Sequence, residues 1–301
     1  MRIRNKIFIA AGVAFVSLLL TAGIIVGEIF TIIIIPSICG IFLGFSLQLT
    51  WKKIQDCFDK KKWQSSLRKL WRGNILNKDS LIRISFAYLF RIQVDGKYFL
   101  VKNGRGTQKY QPVGGAYKYN KVEKRILSSE FQIVYDKKIP IDDSSRDDYR
   151  FFVRSKDLKA FIKRFDATVD RERVNDLSRE FKEEMIQSKI VDFTHIEYRY
   201  CGRHFTEILY SRHFQCYELL MADVVDLLLT KEQEDQLRVL MAQPSEEYHF
   251  ATAEEIKALG VIENSENLKE IISDHTFKIL QETEVELEKT NTTNTTFSID
   301  L

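Results

Sequence analysis

At 301 residues, the chain has room for one domain of ordinary size and a short additional segment. Its formal charge of +3 is unevenly distributed: residues 1–80 hold 12 basic and 4 acidic side chains, and the remainder holds 33 basic and 38 acidic ones. The slightly acidic remainder argues against nonspecific binding of long nucleic acids, although a small, multiply charged nucleotide is not excluded. Four cysteines, at positions 39, 57, 201 and 216, and five histidines form no zinc motif, which fits a reducing cytoplasm.

The first 51 residues hold two long uncharged segments, residues 7–27 and 29–51, separated by Glu28. A helix that rises about 1.5 Å per residue would cross the roughly 30 Å hydrocarbon core with either segment. This predicts a transmembrane helical hairpin over residues 1–51, in preference to a buried pair of core helices or a cleaved signal peptide. Gly40 and Gly44 form a Gly-x-x-x-Gly motif, which favours close helix packing either between protomers or within the hairpin.

Basic residues flank the predicted hairpin on both sides. Three precede it and eight lie between positions 52 and 72, whereas the connecting turn holds only Glu28. The positive-inside rule therefore places both termini and the soluble region in the cytoplasm. Residues 52–79 are predicted to be a basic juxtamembrane linker. This linker is either an amphipathic helix on the membrane surface or an ordinary solvated helix.

Alternating apolar residues predict a strand between positions 80 and 94. Asp95-Gly96 is a preferred two-residue hairpin turn, and residues 97–101 are predicted to be the partner strand. A Pro-x-Gly-Gly turn follows at positions 112–115. Residues 117–168 are predicted to be an insertion, either a lobe over the site or a solvent-exposed decoration. Its arginines at positions 146, 150 and 154 either contact phosphate or are ordinary surface residues.

Three glutamates, Glu180, Glu183 and Glu184, follow Arg179 at the helical spacings i, i+3 and i+4. Carboxylates this close repel one another, and hard oxygen ligands suit Mg²⁺ or Mn²⁺, which in turn bind phosphate oxygens. The alternative is an exposed, charged helix face. The predicted helix spans residues 174–187, and its buried stripe lies opposite the glutamates. The residues of that stripe are Leu177, Phe181 and Met185.

The Gly-Gly turn and the Arg-Glu-hydrophobic-x-Glu-Glu segment together resemble the signature of the Nudix family. The resemblance implies an α+β protein in which a Nudix-like α/β/α domain, residues 80–289, carries a large insertion. It also implies that Arg179 pairs with a glutamate of its own helix, and that Glu183 is catalytic if the protein is a hydrolase. The implied site residues are Gly114, Gly115 and Arg179 for a nucleotide, and Glu180, Glu183 and Glu184 for Mg²⁺ or Mn²⁺.

The segment also departs from the Nudix signature. Ile186 stands where the family has a glycine, and Gln187 occupies a hydrophobic position. The first glutamate of the signature falls on Arg171, with Glu172 one place away. More than fifty residues separate the Gly-Gly turn from the helix. The carboxylates that bind metal are kept, while the altered helix exit and the insertion weigh against ordinary hydrolytic turnover.

Three further strands are predicted downstream, at residues 190–200, 205–209 and 213–221. Thr252 and Glu255 have the spacing of a helix capping box. A last helix is predicted at residues 273–284. Residues 290–301 are rich in threonine and asparagine and are predicted to be a disordered tail.

The order of hairpin, linker and Nudix-like domain resembles the membrane-anchored Nudix effectors of CBASS antiphage systems, which accompany CD-NTase enzymes. The resemblance implies a hairpin in a bacterial inner membrane and a cyclic nucleotide as ligand. It also implies membrane lipids as target, and a homo-oligomer on activation that disrupts the membrane and causes abortive infection. The alternative is a membrane-tethered, Mg²⁺-dependent hydrolase of nucleoside diphosphate derivatives. A third reading is a housekeeping membrane protein that uses the fold only as a scaffold.

Overall fold

The structure is a computed structural model that describes residues 12–13, 16–17, 62–103, 108–136, 138, 142, 145–261 and 269–301. The chain divides into two compact units, Met1–Arg68 and Lys69–Leu301. The hairpin predicted over residues 1–51 lies outside the described residues at all but four positions. In the described part of the chain, no helix has both the length and the apolar character needed to cross a membrane.

Helix α1 spans Lys62–Arg72, within the predicted juxtamembrane linker. The second unit then alternates strands with short helices. Its first half contains β1 (Leu81–Arg91), β2 (Gln93–Val94), β3 (Lys97–Lys102), β4 (Tyr110–Gln111), β5 (Gly114–Ala116), α2 (Lys121–Glu130), β6 (Val134–Tyr135), β7 (Arg150–Arg154) and α3 (Leu158–Ala167). Its second half contains α4 (Ser178–Phe181), a π-helical turn (Lys182–Ile186), β8 (His195–Phe205), β9 (Leu209–Ser211), β10 (Cys216–Leu228), α5 (Lys231–Met241), β11 (Tyr248–Ala251), α6 (Ala253–Lys257), a 3-10 helix (Asp274–Ile279) and β12 (Thr296–Asp300).

Two sheets organise this unit. The larger has the strand order β12-β8-β10-β1-β7-β6, with β5 added on β1 and β9 on β10. Strands β1 and β10 are parallel, whereas β1–β7, β8–β10 and β8–β12 are antiparallel. The smaller sheet has the order β11-β3-β2, with β4 on β3. The mixed α/β architecture predicted from the sequence is therefore confirmed.

Helical elements cover both faces of the larger sheet. On one face, Phe86 of β1 packs against Phe161 and Phe165 of α3, with ring centroids 5.5 and 4.9 Å apart. On the other face, Leu89 and Ala222 belong to an apolar cluster that includes side chains from α6 and the 3-10 helix. Because α3 lies within the predicted insertion, the insertion supplies part of the domain core. It is not a solvent-exposed decoration.

Local turn chemistry places the first hairpin as predicted. Asp95 and Gly96 adopt φ values of 49° and 78°, the positive pair that a type I′ turn requires. Strand β3 then pairs antiparallel with β2. Thr252 and Glu255 form the predicted capping box at the start of α6. A second capping box, made by Thr230 and Gln233, begins α5, a helix that sequence analysis missed.

The helix predicted over residues 174–187 is shorter than expected. Only Ser178–Phe181 is α-helical, and a π-helical turn follows it. The hydroxyl of Tyr198 donates a hydrogen bond to the Val174 carbonyl at 2.9 Å and accepts one from the Leu177 amide at 3.2 Å. A side chain from β8 thus takes backbone groups that a longer helix would use.

The helix predicted over residues 273–284 is also wrong in length and type. A 3-10 helix, Asp274–Ile279, takes its place. The buried guanidinium of Arg91 donates to the carbonyl oxygens of Ile279 and Leu280, both at 2.6 Å. Because these carbonyls accept from a side chain, the backbone leaves the helix at this point.

The disordered tail predicted over residues 290–301 is not observed. Strand β12 pairs antiparallel with β8 over five residues and extends the large sheet by one strand. Phe297 packs against Tyr198 with ring centroids 5.8 Å apart. An available sheet edge therefore orders a segment whose composition alone favours disorder.

Candidate functional site

The Gly-Gly turn and the glutamate-bearing helix meet in space although some seventy residues separate them in sequence. The Gly114 amide donates to Oε2 of Glu184 at 2.9 Å. A Cβ atom at Gly115 would lie 2.0 Å from Oε1 of Glu180, so a larger residue there would force the Glu180 side chain to move. Gly114 also has a φ of 139°, and a Cβ there would lie 2.2 Å from the backbone oxygen of Tyr88. The turn and the helix thus form one site.

Strand β1 fixes the position of this turn. Within β5, Gly114 and Gly115 pair with Leu89 and Tyr88 of the buried strand β1. The side chain of Tyr88 points to the same site, where its hydroxyl accepts from the Glu180 amide at 3.4 Å. Burial and the neighbouring negative charge of Glu172 raise the pKa of Tyr88 well above its ordinary value. Tyr88 therefore stays neutral and acts as a hydrogen-bonding support.

Arg179 joins the parts of the site. Its Nε and one terminal nitrogen donate to Glu172 at 2.5 and 3.1 Å, and the other terminal nitrogen donates to Glu180 at 2.5 Å. It also donates to the Ala116 carbonyl at 2.9 Å. The predicted pairing of Arg179 with a glutamate of its own helix is thus observed. Because all three nitrogens already donate to protein oxygens, Arg179 positions Glu172 and Glu180.

The three glutamates have different environments. Burial, followed by the negative charge of Glu180, raises the pKa of Glu184 to about 8. Burial also raises the pKa of Glu180, although Arg179 opposes this shift. The side chain of Glu183 is 43% exposed and lies 3.8 Å from Arg179. Burial thus suppresses the charge of Glu184, which is mostly protonated at pH 7.

The glutamates of the site form a partial donor set for a divalent cation. Within the described residues, no three His, Cys, Asp or Glu side chains converge as a ready metal site. The predicted set of Glu180, Glu183 and Glu184 is therefore not gathered around one point. Glu180 and Glu184 interact electrostatically, and a cation between them would relieve the repulsion that raises the pKa of Glu184. Once Glu184 loses its proton, these two oxygen ligands would suit Mg²⁺ or Mn²⁺, which would supply positive charge for phosphate oxygens.

A buried polar network supports the site from the sheet. Asp223, fully buried in β10, accepts hydrogen bonds from Tyr117 at 2.8 Å, Tyr200 at 2.7 Å and Arg203 at 2.7 Å. The ring of Tyr117 packs 5.1 Å from that of Tyr88, which connects the network to the Gly-Gly turn. Sequence analysis missed Asp223, although an aspartate flanked by Met221, Ala222, Val224 and Val225 is a signal of a buried, hydrogen-bonded carboxylate.

Two of the three arginines singled out in the insertion have neighbouring acidic partners. Arg150 forms an ion pair with Asp148, and Arg154 donates to Asp157 at 2.8 Å. Both are partly buried intramolecular pairs, and a phosphate contact by any of the three arginines stays a prediction. The described cysteines, Cys201 and Cys216, also belong to no group of metal ligands.

Comparison with known proteins agrees with this geometry. The sequence model of the SMODS-associated NUDIX domain matches residues 81–280, which is about two thirds of the chain. A search of curated proteins gave no match. The matched region includes the Gly-Gly turn, the insertion and the glutamate helix, all of which pack as one unit. The chain therefore belongs to the SMODS-associated NUDIX domain family, a defence-associated family of Nudix domains of the CBASS type.

Proposed function

We propose that this chain is a membrane effector of a bacterial CBASS antiphage system. Its Nudix domain binds a cyclic nucleotide messenger on the cytoplasmic side of the inner membrane. Ligand binding favours a homo-oligomer, which gathers the transmembrane hairpins of residues 1–51, disrupts the membrane and causes abortive infection. The family supports the defence context, and the uncharged segments at residues 7–27 and 29–51 support the membrane role.

One observation favours ligand binding over catalytic hydrolysis as the role of this site. The Gly-Gly turn and the glutamate helix keep their mutual contact, while the carboxylates of the site are engaged by the protein itself. Glu180 pairs with Arg179 at 2.5 Å, and Glu184 accepts from Gly114 with a pKa raised to about 8 by burial. A protonated, hydrogen-bonded carboxyl is a poor metal ligand until it loses its proton. Such a site favours holding a phosphate compound over activating water.

The ligand would lie beside the turn, next to the carboxylates of Glu180 and Glu184 that pack against Gly115 and Gly114. Phosphate oxygens carry negative charge and would repel Glu180 and Glu184. Mg²⁺ between phosphate and carboxylates removes that repulsion, so ligand and cation are expected to bind together. Arg179 would keep the carboxylates in place as the cation enters.

Ligand binding would be coupled to assembly of the membrane hairpins by thermodynamic linkage. A ligand shifts an equilibrium only as far as it binds one state better than another. A cyclic nucleotide that bridges the Gly-Gly turn, the glutamate helix and the insertion would favour the state that assembles. Gly40 and Gly44 of the hairpin would then pack between protomers.

The second candidate is a membrane-tethered, Mg²⁺-dependent hydrolase of nucleoside diphosphate derivatives. The observation in its favour is that Glu183 remains 43% exposed beside the engaged pair. An exposed carboxylate next to a bound cation is suited to accept a proton from water. Metal-dependent phosphate release that Glu183→Gln abolishes would favour this candidate over the sensor.

The test uses the full chain reconstituted into dye-loaded vesicles with Mg²⁺ and a panel of cyclic oligonucleotides. We expect one cyclic nucleotide to increase both oligomer size and dye leakage. Arg179→Ala should abolish both responses, because it releases Glu172 and Glu180 from their positions. Arg238→Ala, an exposed ion-paired arginine of α5, is the matched control and should respond normally. Unchanged oligomer size and leakage with every cyclic nucleotide would refute the proposal.

A further inference from the structure

Helix α2 carries an open basic groove of about 560 Å³. Four of the residues that line it are exposed, and Lys124 is half-buried. The groove lies on the insertion, outside the nucleotide site described above. Its lining residues are Lys121, Lys124, Arg125, Ser128 and Ser129.

Helix α2 has a buried carboxylate in its first turn, exposed cations along one side and the exposed Glu130 at its end. Glu123, the acidic residue of the first turn, is fully buried and accepts hydrogen bonds from Arg164 at 2.6 Å and Thr168 at 2.9 Å. Its charge is therefore neutralised inside the domain. The cations Lys121 and Arg125 stay on the exposed side.

A nearby carboxylate offsets only part of this positive charge. Asp147 accepts from Lys124 at 2.8 Å, which raises the pKa of that lysine and keeps it charged. Exposed Arg146 acts electrostatically on the same lysine and adds a fourth cation. Residues 81–301 as a whole carry a small excess of acidic side chains, so the groove is a local basic surface on an acidic unit.

Exposed apolar side chains border the groove. Val122 on α2 is 49% exposed, and Val134 and Tyr135 on the edge strand β6 are 43% and 37% exposed. The ammonium group of Lys124 lies 6.0 Å from the Tyr135 ring, which makes the apolar residues continuous with the basic ones. Together they form one surface in which cations surround exposed apolar and aromatic side chains.

We propose that this α2 surface docks on the anionic phospholipid face of a membrane. Lysine and arginine attract anionic headgroups, each raising the binding constant about fivefold near the surface. Exposed valine and tyrosine side chains suit the boundary between headgroups and acyl chains. The acidic excess of residues 81–301 disfavours approach by its other sides. This contact orients the Nudix domain whatever occupies the Gly114–Gly115 turn.

The test is lysine acetylation of the full chain, read residue by residue by mass spectrometry. The protein is reconstituted in phosphatidylcholine vesicles, with or without an equal part of phosphatidylglycerol. We expect acetylation of Lys121 and Lys124 to fall several-fold with phosphatidylglycerol and to recover at high salt. Exposed Lys231 of α5 should react equally in both vesicles.

Charge reversal separates docking from a general effect of the lipid. In Lys121→Glu/Arg125→Glu, the protection of Lys124 should disappear. The control variant Lys159→Glu/Lys163→Glu changes the net charge by the same amount at exposed positions of α3. In this variant, Lys124 should still be protected from acetylation. Equal acetylation of Lys121 in both vesicle types would overturn the proposal. Protection by inorganic phosphate or a soluble oligonucleotide that matches or exceeds protection by the vesicles would also overturn it, since the surface would then bind a free anion.

Discussion

Replacement of Glu184 by glutamine should stabilise the Nudix domain at neutral pH. The raised pKa of Glu184, about 8, means that the folded state holds a proton that the unfolded state releases near pH 4.5. The free energy of unfolding therefore falls as pH rises between these two values, by about 1.4 kcal/mol per pH unit. At pH 7 the largest loss of unfolding free energy that the pKa of Glu184 can cause is about 3 kcal/mol. The partial exposure of the Glu184 side chain reduces this loss to about 1–2 kcal/mol. Glutamine removes this penalty and still accepts the hydrogen bond from Gly114.

The assay is urea denaturation of the full-length protein in detergent, at a series of pH values from acid to neutral. Glu184→Gln should gain about 1–2 kcal/mol at pH 7 and almost nothing near pH 4.5. Glu183→Gln is the matched control on the same turn, and its 43% exposed side chain predicts a change within about 0.5 kcal/mol. A Glu184→Gln variant that is less stable than the parent at pH 7, or equally affected at both pH values, would refute this account of the site.

Three further substitutions test the packing of the site. Gly114→Ala should cost about 2–4 kcal/mol in urea denaturation, because its φ is 139° and a Cβ there meets a β1 carbonyl oxygen at 2.2 Å; a loss below about 0.5 kcal/mol would contradict the strained geometry. Gly115→Ala should cost less, because the Glu180 side chain can rotate away from the new Cβ, but calorimetry should show loss of Mg²⁺-dependent nucleotide binding; wild-type affinity would show that the turn is not the binding surface. Asp223→Asn should cost about 3 kcal/mol, because it removes the fully buried counterion of Arg203 and leaves that guanidinium paired only with the half-exposed Asp166; a near-neutral result would mean that water reaches this network.

The parts of the fold that sequence analysis predicted are those set by local chemistry. Asp95-Gly96 and the Thr252 capping box depend on residues at most three positions apart, so their signals are complete in the sequence. The lengths of the later helices depend on distant side chains. Tyr198 takes backbone groups at the start of the glutamate helix, and Arg91 takes carbonyls at the end of the 3-10 helix. Neither contact has a sequence signature.

For the candidate site, too, the sequence identified local features, whereas features that depend on distant residues were not predictable. The spacing of the glutamates and the Gly-Gly turn singled out these residues, and the structure brings Gly114 and Gly115 to Glu184 and Glu180 without gathering Glu183 with them. Their electrostatic state was not predictable, because the raised pKa of Glu184 depends on burial by distant elements.

The partners of two further charged residues show the limits of the sequence signals. The main partner of Arg179 is Glu172, one place from the position that the family signature indicates. Asp223 was missed because its partners come from β8 and from the start of the insertion. Long-range pairs of this kind decide whether a carboxylate is charged.

The most direct test of the central claim is calorimetric titration of the detergent-solubilised, full-length protein with cyclic di- and trinucleotides, with and without Mg²⁺. The account predicts saturable binding of one cyclic nucleotide, strengthened by Mg²⁺ and lost in Arg179→Ala. No detectable binding of any cyclic nucleotide under either condition would contradict it.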